Sequence, residues 1–117
     1  VFPSTLTSVA DSAFRACTAL VSIDLGVGLV SIGQHAFWGC TALGGIRLPD
    51  SVTALGSFAF NNCSSLPNVT LSTRITLIGS YVVSPLTPNA RLTYRGAAVA
   101  HESDALLCSL CVLLSFV

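Results

Sequence analysis

Hydrophobic residues recur along this chain with a period of 23 residues. Three Ala-Phe pairs mark the period, at Ala13-Phe14, Ala36-Phe37 and Ala59-Phe60. A cysteine follows each of these phenylalanines by three residues, and a leucine follows each cysteine by three more. Two further apolar columns begin at Leu6 and Val9 and return at the same spacing. Agreement of so many columns without a gap indicates an internal repeat.

Each copy contains an alternating apolar pattern that predicts a short β-strand, because residues two apart share a face. Its first occurrence is Leu20-Val21-Ser22-Ile23-Asp24-Leu25. So short a strand needs the equivalent strand of the next copy beside it, and we expect stacked copies to form a short parallel β-sheet on one face. The three-residue steps around Ala-Phe predict short helical or 3₁₀ turns on the other face. The predicted fold is a repeat solenoid whose core contains a stacked aromatic spine of Phe14, Phe37 and Phe60.

The pattern decays toward the end of the chain. The fourth copy keeps Ile75, Ile78 and Gly79 but loses the Ala-Phe and cysteine columns, as terminal repeats often do. We therefore assign 1–94 to the solenoid, with about four copies, and 95–104 to a polar linker. Residues 105–117 are almost wholly apolar, which predicts a C-terminal helix. Three interpretations stay open for this segment: a truncated membrane span, a helix packed on the open end of the solenoid, or sequence without a structural role.

The repeat resembles the BspA-like class of leucine-rich repeats. The segments SIGQHAFWGCTAL at 31–43 and VTALGSFAFNNCSSL at 52–66 carry the resemblance, which covers roughly 6–94. It implies a curved solenoid with the parallel sheet on its concave face. Many members of this family are cell-surface proteins of bacteria and protozoa, and some adhere to host or matrix proteins. The resemblance implies a protein-binding module of a larger cell-surface or secreted, adhesin-like protein, with an intracellular scaffold as the alternative.

The concave strand face is the predicted binding surface, because solenoid proteins usually bind ligands there. Outward positions of successive strands form two rows on this face. The residues predicted to contact a protein ligand are Ser22, Asp24, Arg47, Asn68, Thr70, Arg91 and Thr93. Asp24 and Arg47 fall on neighbouring strands and could form a surface ion pair, which would stabilise the fold by less than about 1 kcal/mol.

Charge and catalytic chemistry are sparse in this chain. Five basic and five acidic residues leave no net charge, whereas a nucleic-acid binder needs a clustered basic patch. The two histidines, His35 and His101, stand in no recognisable set with a nucleophile and a carboxylate. The sequence also lacks a phosphate-binding loop. We therefore predict no nucleic-acid partner, no catalytic, metal or cofactor site, and a protein that is not an enzyme.

The positions of the cysteines indicate buried side chains and not disulfides, zinc sites or redox sites. Cys17, Cys40 and Cys63 occupy one repeat column, where equivalent side chains point the same way and are poorly placed for disulfides. We predict that they are buried free thiols, which behave as small apolar side chains. Cys108 and Cys111 lack the second ligand pair or the fold context that zinc and redox sites need.

Two asparagines match the N-glycosylation triplet. Asn68 is the better candidate because it is predicted to point outward, whereas Asn62 precedes a cysteine that should be buried. The chain contains no methionine, even at position 1. We therefore expect it to be a fragment, or a mature or trimmed product, of a longer protein.

Overall fold

A computed structural model describes residues 3–66, 68–83, 91–94, 100–101 and 114–116 of the 117-residue chain. The described residues form short β-strands joined by turns. The strands are β1 (Ser8–Val9), β2 (Ser22–Asp24), β3 (Ser31–Ile32), β4 (Gly45–Arg47), β5 (Ala54–Leu55), β6 (Asn68–Thr70), β7 (Leu77–Ile78), β8 (Arg91–Tyr94), β9 (Ala100–His101) and β10 (Leu114–Phe116).

All strand pairs of the described residues are parallel and join neighbouring copies. β2 pairs with β4, and β6, β8 and β10 form a second ladder with β8 in its centre. The register places Ile23 opposite Ile46 and Val69 opposite Leu92, each pair 23 residues apart. β4 and β6 belong to different ladders, although their Cα atoms approach within 8 Å. The predicted side-by-side strands are therefore confirmed, although no strand ladder joins β4 to β6 among the described residues.

A second parallel sheet was not predicted from the sequence. It has the order β1-β3-β5-β7-β9, and its strands are two residues long. Each of its first four strands ends on a buried side chain, in the column Val9, Ile32, Leu55 and Ile78. The glycines that follow allow neighbouring copies to approach closely: a Cβ on Gly56 would collide with the backbone nitrogen of Gln34. The glycine column therefore reflects contact between copies.

The predicted helical or 3₁₀ turns are wrong as regular elements, because the described residues contain none there. The backbone N–H groups of alternate residues do donate to carbonyls three residues earlier in the chain, as Arg15 N–H does to the Ser12 carbonyl at 3.1 Å. The N–H groups of the residues between them donate to the next copy instead, as Phe14 N–H does to the Ala36 carbonyl at 2.8 Å. Ser12 and Ala16 also have φ values of 58° and 57°, which a right-handed helix excludes. The turns are thus hydrogen-bonded within and between copies at once.

The predicted aromatic spine runs through the core. Ring centroids of Phe14 and Phe37 are 5.2 Å apart, and those of Phe37 and Phe60 are 5.3 Å apart. Interplanar angles of 2° and 8° make both contacts parallel stacks. Phe37 and Phe60 are almost wholly buried, whereas Phe14 is half-buried at the end of the stack. The copies therefore share one interior, as the repeat period predicts.

The cysteine column lies beside this spine, and its thiols are free. Cys40 and Cys63 are buried, and Cys17 is half-buried. The Cys63 thiol donates to the Phe37 carbonyl at 3.1 Å. Burial raises the pKa of Cys63 to about 12, so the thiol is protonated at neutral pH. Buried free thiols are thus confirmed at two of the three positions.

Two strands extend the ladders beyond residue 94. Ala100 and His101 pair with Leu77 and Ile78, and Leu114–Phe116 pairs with β8. The predicted C-terminal helix is therefore wrong at 114–116. A strand is favoured there because β8 offers an open edge whose backbone groups a helix could not satisfy. The remainder of 105–117, with Cys108 and Cys111, lies outside the described residues.

The division into 1–94, 95–104 and 105–117 stays a prediction. Within the described ranges, we find no helix with the length and apolar character needed to cross a membrane.

Candidate ligand-binding face

The outward positions of β2, β4 and β6 form one exposed surface, which we call the strand face. Its described side chains are Ser22, Asp24, Arg47 and Thr70, all exposed, with Gly45 opposite Ser22. Between the outward positions, Ile23, Ile46 and Val69 turn toward the core. This alternation follows from strand geometry, which sends successive side chains to opposite faces. The strand face therefore presents polar groups on an apolar support.

The backbones of three further predicted contact residues, Asn68, Arg91 and Thr93, continue the same rows. Asn68 is the partner of Arg91, and Thr70 is the partner of Thr93. Their backbone register matches that of Ser22 with Gly45 and Asp24 with Arg47. The side chains of Asn68, Arg91 and Thr93 lie outside the described part of the chain, so their role in binding stays a prediction.

Two adjoining clefts lie where the strands of this face end. The first has a volume of about 370 Å³ and extends from Asp24 to Ser51. The second has a volume of about 520 Å³ and extends from Arg47 to Thr73. Both clefts are lined by Arg47, Leu48 and Asp50. Arg47 therefore stands at the junction of the two clefts, where its side chain can reach an occupant of either one.

Hydrogen bonds fix the turns that line the two clefts. The Asp24 carboxylate accepts from Gly26 N–H at 3.1 Å, which fixes the turn after β2. The buried hydroxyl of Ser72 donates to the Val52 carbonyl at 2.6 Å. Ser51 donates to the carbonyl of Leu29, which occupies the same repeat column as Val52, at 2.5 Å. These contacts pre-form the clefts, which lowers the entropic cost of binding.

The family of the chain follows from its sequence together with this architecture. The family described as "BspA type Leucine rich repeat region (6 copies)" matches residues 1–92. The chain belongs to the BspA-type leucine-rich repeat family. Repeats of this family are interaction modules, so the general role of the chain is to take part in protein interactions.

Among solved structures, the BspA-type repeat is similar to the crystal structure of T. pallidum leucine-rich repeat protein (TpLRR). The two chains are 23% identical and superpose with a TM-score of 0.67. The match covers 96% of this chain and 81% of the T. pallidum chain. At this identity the likeness shows the fold alone. No curated protein sequence matches the chain.

The side chains of the BspA-type repeat that line the clefts suit polar recognition. Arg47 offers a planar set of donors, and Asp24 and Asp50 offer carboxylate acceptors. Asp50 was not among the predicted contact residues because it lies three residues after the strand row, in the following turn. Val27 and Thr73 occupy the same repeat column and also line the clefts. Adding this column to the strand rows would have found Asp50 from the sequence.

Other chemical candidates stand apart from the strand face. The described residues contain no group of three or more His, Cys, Asp or Glu side chains arranged to hold a metal ion. Asn62 is exposed at a turn with φ of 59°, and the following Cys63 is buried. Glycosylation of Asn62 or Asn68 stays a prediction.

Proposed function

We propose that the BspA-type repeat binds a protein ligand through the strand face and its two clefts. The observation that carries the proposal is the position of Arg47, exposed on the strand face and shared by both clefts. Ser22, Asp24 and Thr70 are exposed beside it. Asn68, Arg91 and Thr93 extend the proposed surface along the two rows.

Arginine at such a junction supports recognition of a protein more than of a small molecule. Its guanidinium can bind a carboxylate through two parallel hydrogen bonds, and arginine is enriched among the residues that dominate binding energy at interfaces. The clefts are open and lie in line along successive copies, which suits an extended segment of a partner. The zero net charge of the chain gives no support to a nucleic-acid partner.

We further propose that the chain acts at a cell surface or outside the cell, as part of a larger adhesin-like protein. Membership of the BspA-type family supports this context. An intracellular scaffold is the alternative, and buried, protonated thiols such as Cys63 suit either compartment. A membrane span at residues 105–117 is not part of the proposal, because 114–116 form a strand.

Binding to an immobilised panel of fibronectin, laminin and collagen tests the proposal, together with selection from a random-peptide phage library. We expect Arg47→Gln to weaken binding of the selected ligand about tenfold, which corresponds to about 1.4 kcal/mol. Arg74→Gln is the matched control, because Arg74 is exposed but lines neither cleft. Equal binding by the wild type and Arg47→Gln would contradict the proposal. Binding to peptides but to no matrix protein would leave the strand face supported and the adhesin context unsupported.

A further inference from the structure

A second row of stacked aromatic rings lies on the outside of the turns. His35 stacks on Phe58 with ring centroids 5.1 Å apart and an interplanar angle of 1°. Phe58 stacks on Tyr81 at 5.5 Å and 24°. All three side chains are half-buried, unlike Phe37 and Phe60 of the inner spine. Part of each ring in this outer row therefore reaches solvent.

Arg15 and Trp38 occupy the repeat column three residues after this row, in the same turns. The guanidinium carbon of Arg15 is 4.9 Å from the centre of the Trp38 ring, a cation–π contact. Trp38 N–H donates to the His35 carbonyl at 3.1 Å, which places both residues in one turn. We call Arg15, His35, Trp38, Phe58 and Tyr81 the turn strip. It combines the three residue types, Trp, Tyr and Arg, that most often dominate interface energetics.

The backbone does not require aromatic residues at these positions. His35, Phe58 and Tyr81 have φ values of 56°, 59° and 52°, a region that glycine, asparagine and histidine tolerate and that Phe and Tyr disfavour. At the other left-handed position of the turn, the chain places Ala16, Gly39 and Asn62, which are all small or polar. Local conformation therefore gives no reason for exposed rings in the turn strip, and strained positions of this kind often carry function.

We infer that the turn strip is a second docking surface, for a protein segment that presents Asp or Glu next to apolar side chains. Both faces of Phe58 are covered by its neighbours, so its edge is what reaches solvent. Aromatic edges carry partial positive charge, and the Arg15 cation adds to it. Asp11 begins the same turn and keeps its negative charge, with its Oδ1 accepting from Gln34 N–H at 2.7 Å. The carboxylate of the partner is therefore expected at the Arg15 side of the strip. The strip is thus complementary to carboxylates and to apolar groups between them.

Carbohydrate is the competing occupant, and the stacking of Phe58 disfavours it at the centre of the strip. Sugars pack against open aromatic faces, and Phe58 presents none. One face of Trp38 is covered by Arg15. A saccharide that binds here is therefore an outcome that would overturn the inference.

Trp38 is the only tryptophan of the chain, so its fluorescence reports directly on the turn strip. Peptides selected from a random-peptide phage library on the whole chain would be synthesised and titrated while Trp38 emission is followed. We expect one selected class to contain acidic residues beside aromatic or aliphatic ones and to shift the emission. Its affinity should fall at least about fivefold in Arg15→Gln and should weaken as salt approaches about 0.5 M, because salt screens charge pairs.

Phe58→Asn is the second test variant, since asparagine tolerates the left-handed backbone while it removes the central ring. Circular dichroism would verify that both variants are folded. We expect Phe58→Asn to weaken this peptide class, and Arg47→Gln on the strand face to leave it unchanged. The inference is overturned if no selected peptide shifts Trp38, if acidic residues are not enriched, if Arg15→Gln binds as the wild type does, or if maltohexaose alone shifts the emission. For this peptide class, loss in Arg47→Gln but not in Arg15→Gln would reject the turn strip. The strand face is tested separately, by the ligands whose binding depends on Arg47, so each proposal can fail without the other.

Discussion

The two aromatic rows of this molecule stack at almost the same spacing but lie in different surroundings. Inner rings are 5.2 and 5.3 Å apart, and outer rings are 5.1 and 5.5 Å apart. The parallel ladders set this spacing, since strands of neighbouring copies are about 4.8 Å apart. Phe37 is fully buried, whereas Phe58 is half-exposed. Similar ring spacing thus serves stability in one row and leaves the other available for recognition.

Removal of an inner ring should lower the free energy of unfolding more than removal of an outer ring. Phe37 is 0% exposed and contacts a ring on each side. We expect Phe37→Ala to lower the free energy of unfolding by about 3–5 kcal/mol, because it leaves a cavity in the shared core. Urea denaturation followed by circular dichroism measures this change. A loss below about 1 kcal/mol would show that the inner row does not support the fold.

The stability of the fold should depend on pH through the buried thiol of Cys63. Burial raises the pKa of Cys63 from 9.0 to about 12. The folded chain therefore keeps this proton between pH 9 and pH 12, while the unfolded chain releases it. The stability contribution is full below pH 9 and declines as pH rises toward 12, by at most about 1.4 kcal/mol per pH unit.

Other groups also titrate in the alkaline range, so Cys63→Ala is needed to isolate the contribution of this thiol to stability. Urea denaturation at several pH values should show a shallower decline for Cys63→Ala than for the wild type. Identical slopes would mean that Cys63 ionises as freely in the folded chain as in the unfolded one.

Removal of an outer ring should change the free energy of unfolding least. Phe58→Asn loses two stacking contacts, each worth about 0.5–1.5 kcal/mol, and relieves left-handed strain of about 1–2 kcal/mol. The half-buried ring also loses apolar burial, so we expect the free energy of unfolding to fall by about 1–2 kcal/mol. The same urea denaturation measures it. A loss as large as that of Phe37→Ala would remove the distinction between the two rows.

Features that repeat with strong apolar character were predictable from the sequence. The strands at Ile23 and Ile46, the phenylalanine spine and the buried cysteines each follow from a column at a fixed period. The two-residue strands such as Ser8–Val9 were missed because alternation cannot be recognised in so short a segment. Left-handed backbone at Ser12 and Phe58 was missed because neither residue type signals it.

The candidate surfaces were predictable to different degrees. Outward strand positions such as Asp24 and Arg47 follow from alternation, and both are exposed. The outer aromatic row shares one column, but His35, Phe58 and Tyr81 differ in chemistry and look like a variable position. Their stacking depends on the spacing between copies, which residue types alone do not express.

Nuclear magnetic resonance of a deuterated chain with protonated aromatic rings tests the central claim most directly. Nuclear Overhauser contacts should join Phe14 to Phe37 and Phe37 to Phe60, and should equally join the rings of the outer row. A soluble nitroxide should broaden the ring signals of Phe58 and Tyr81 while those of Phe37 and Phe60 stay sharp. Missing contacts within the inner row, or equal broadening of both rows, would contradict the account.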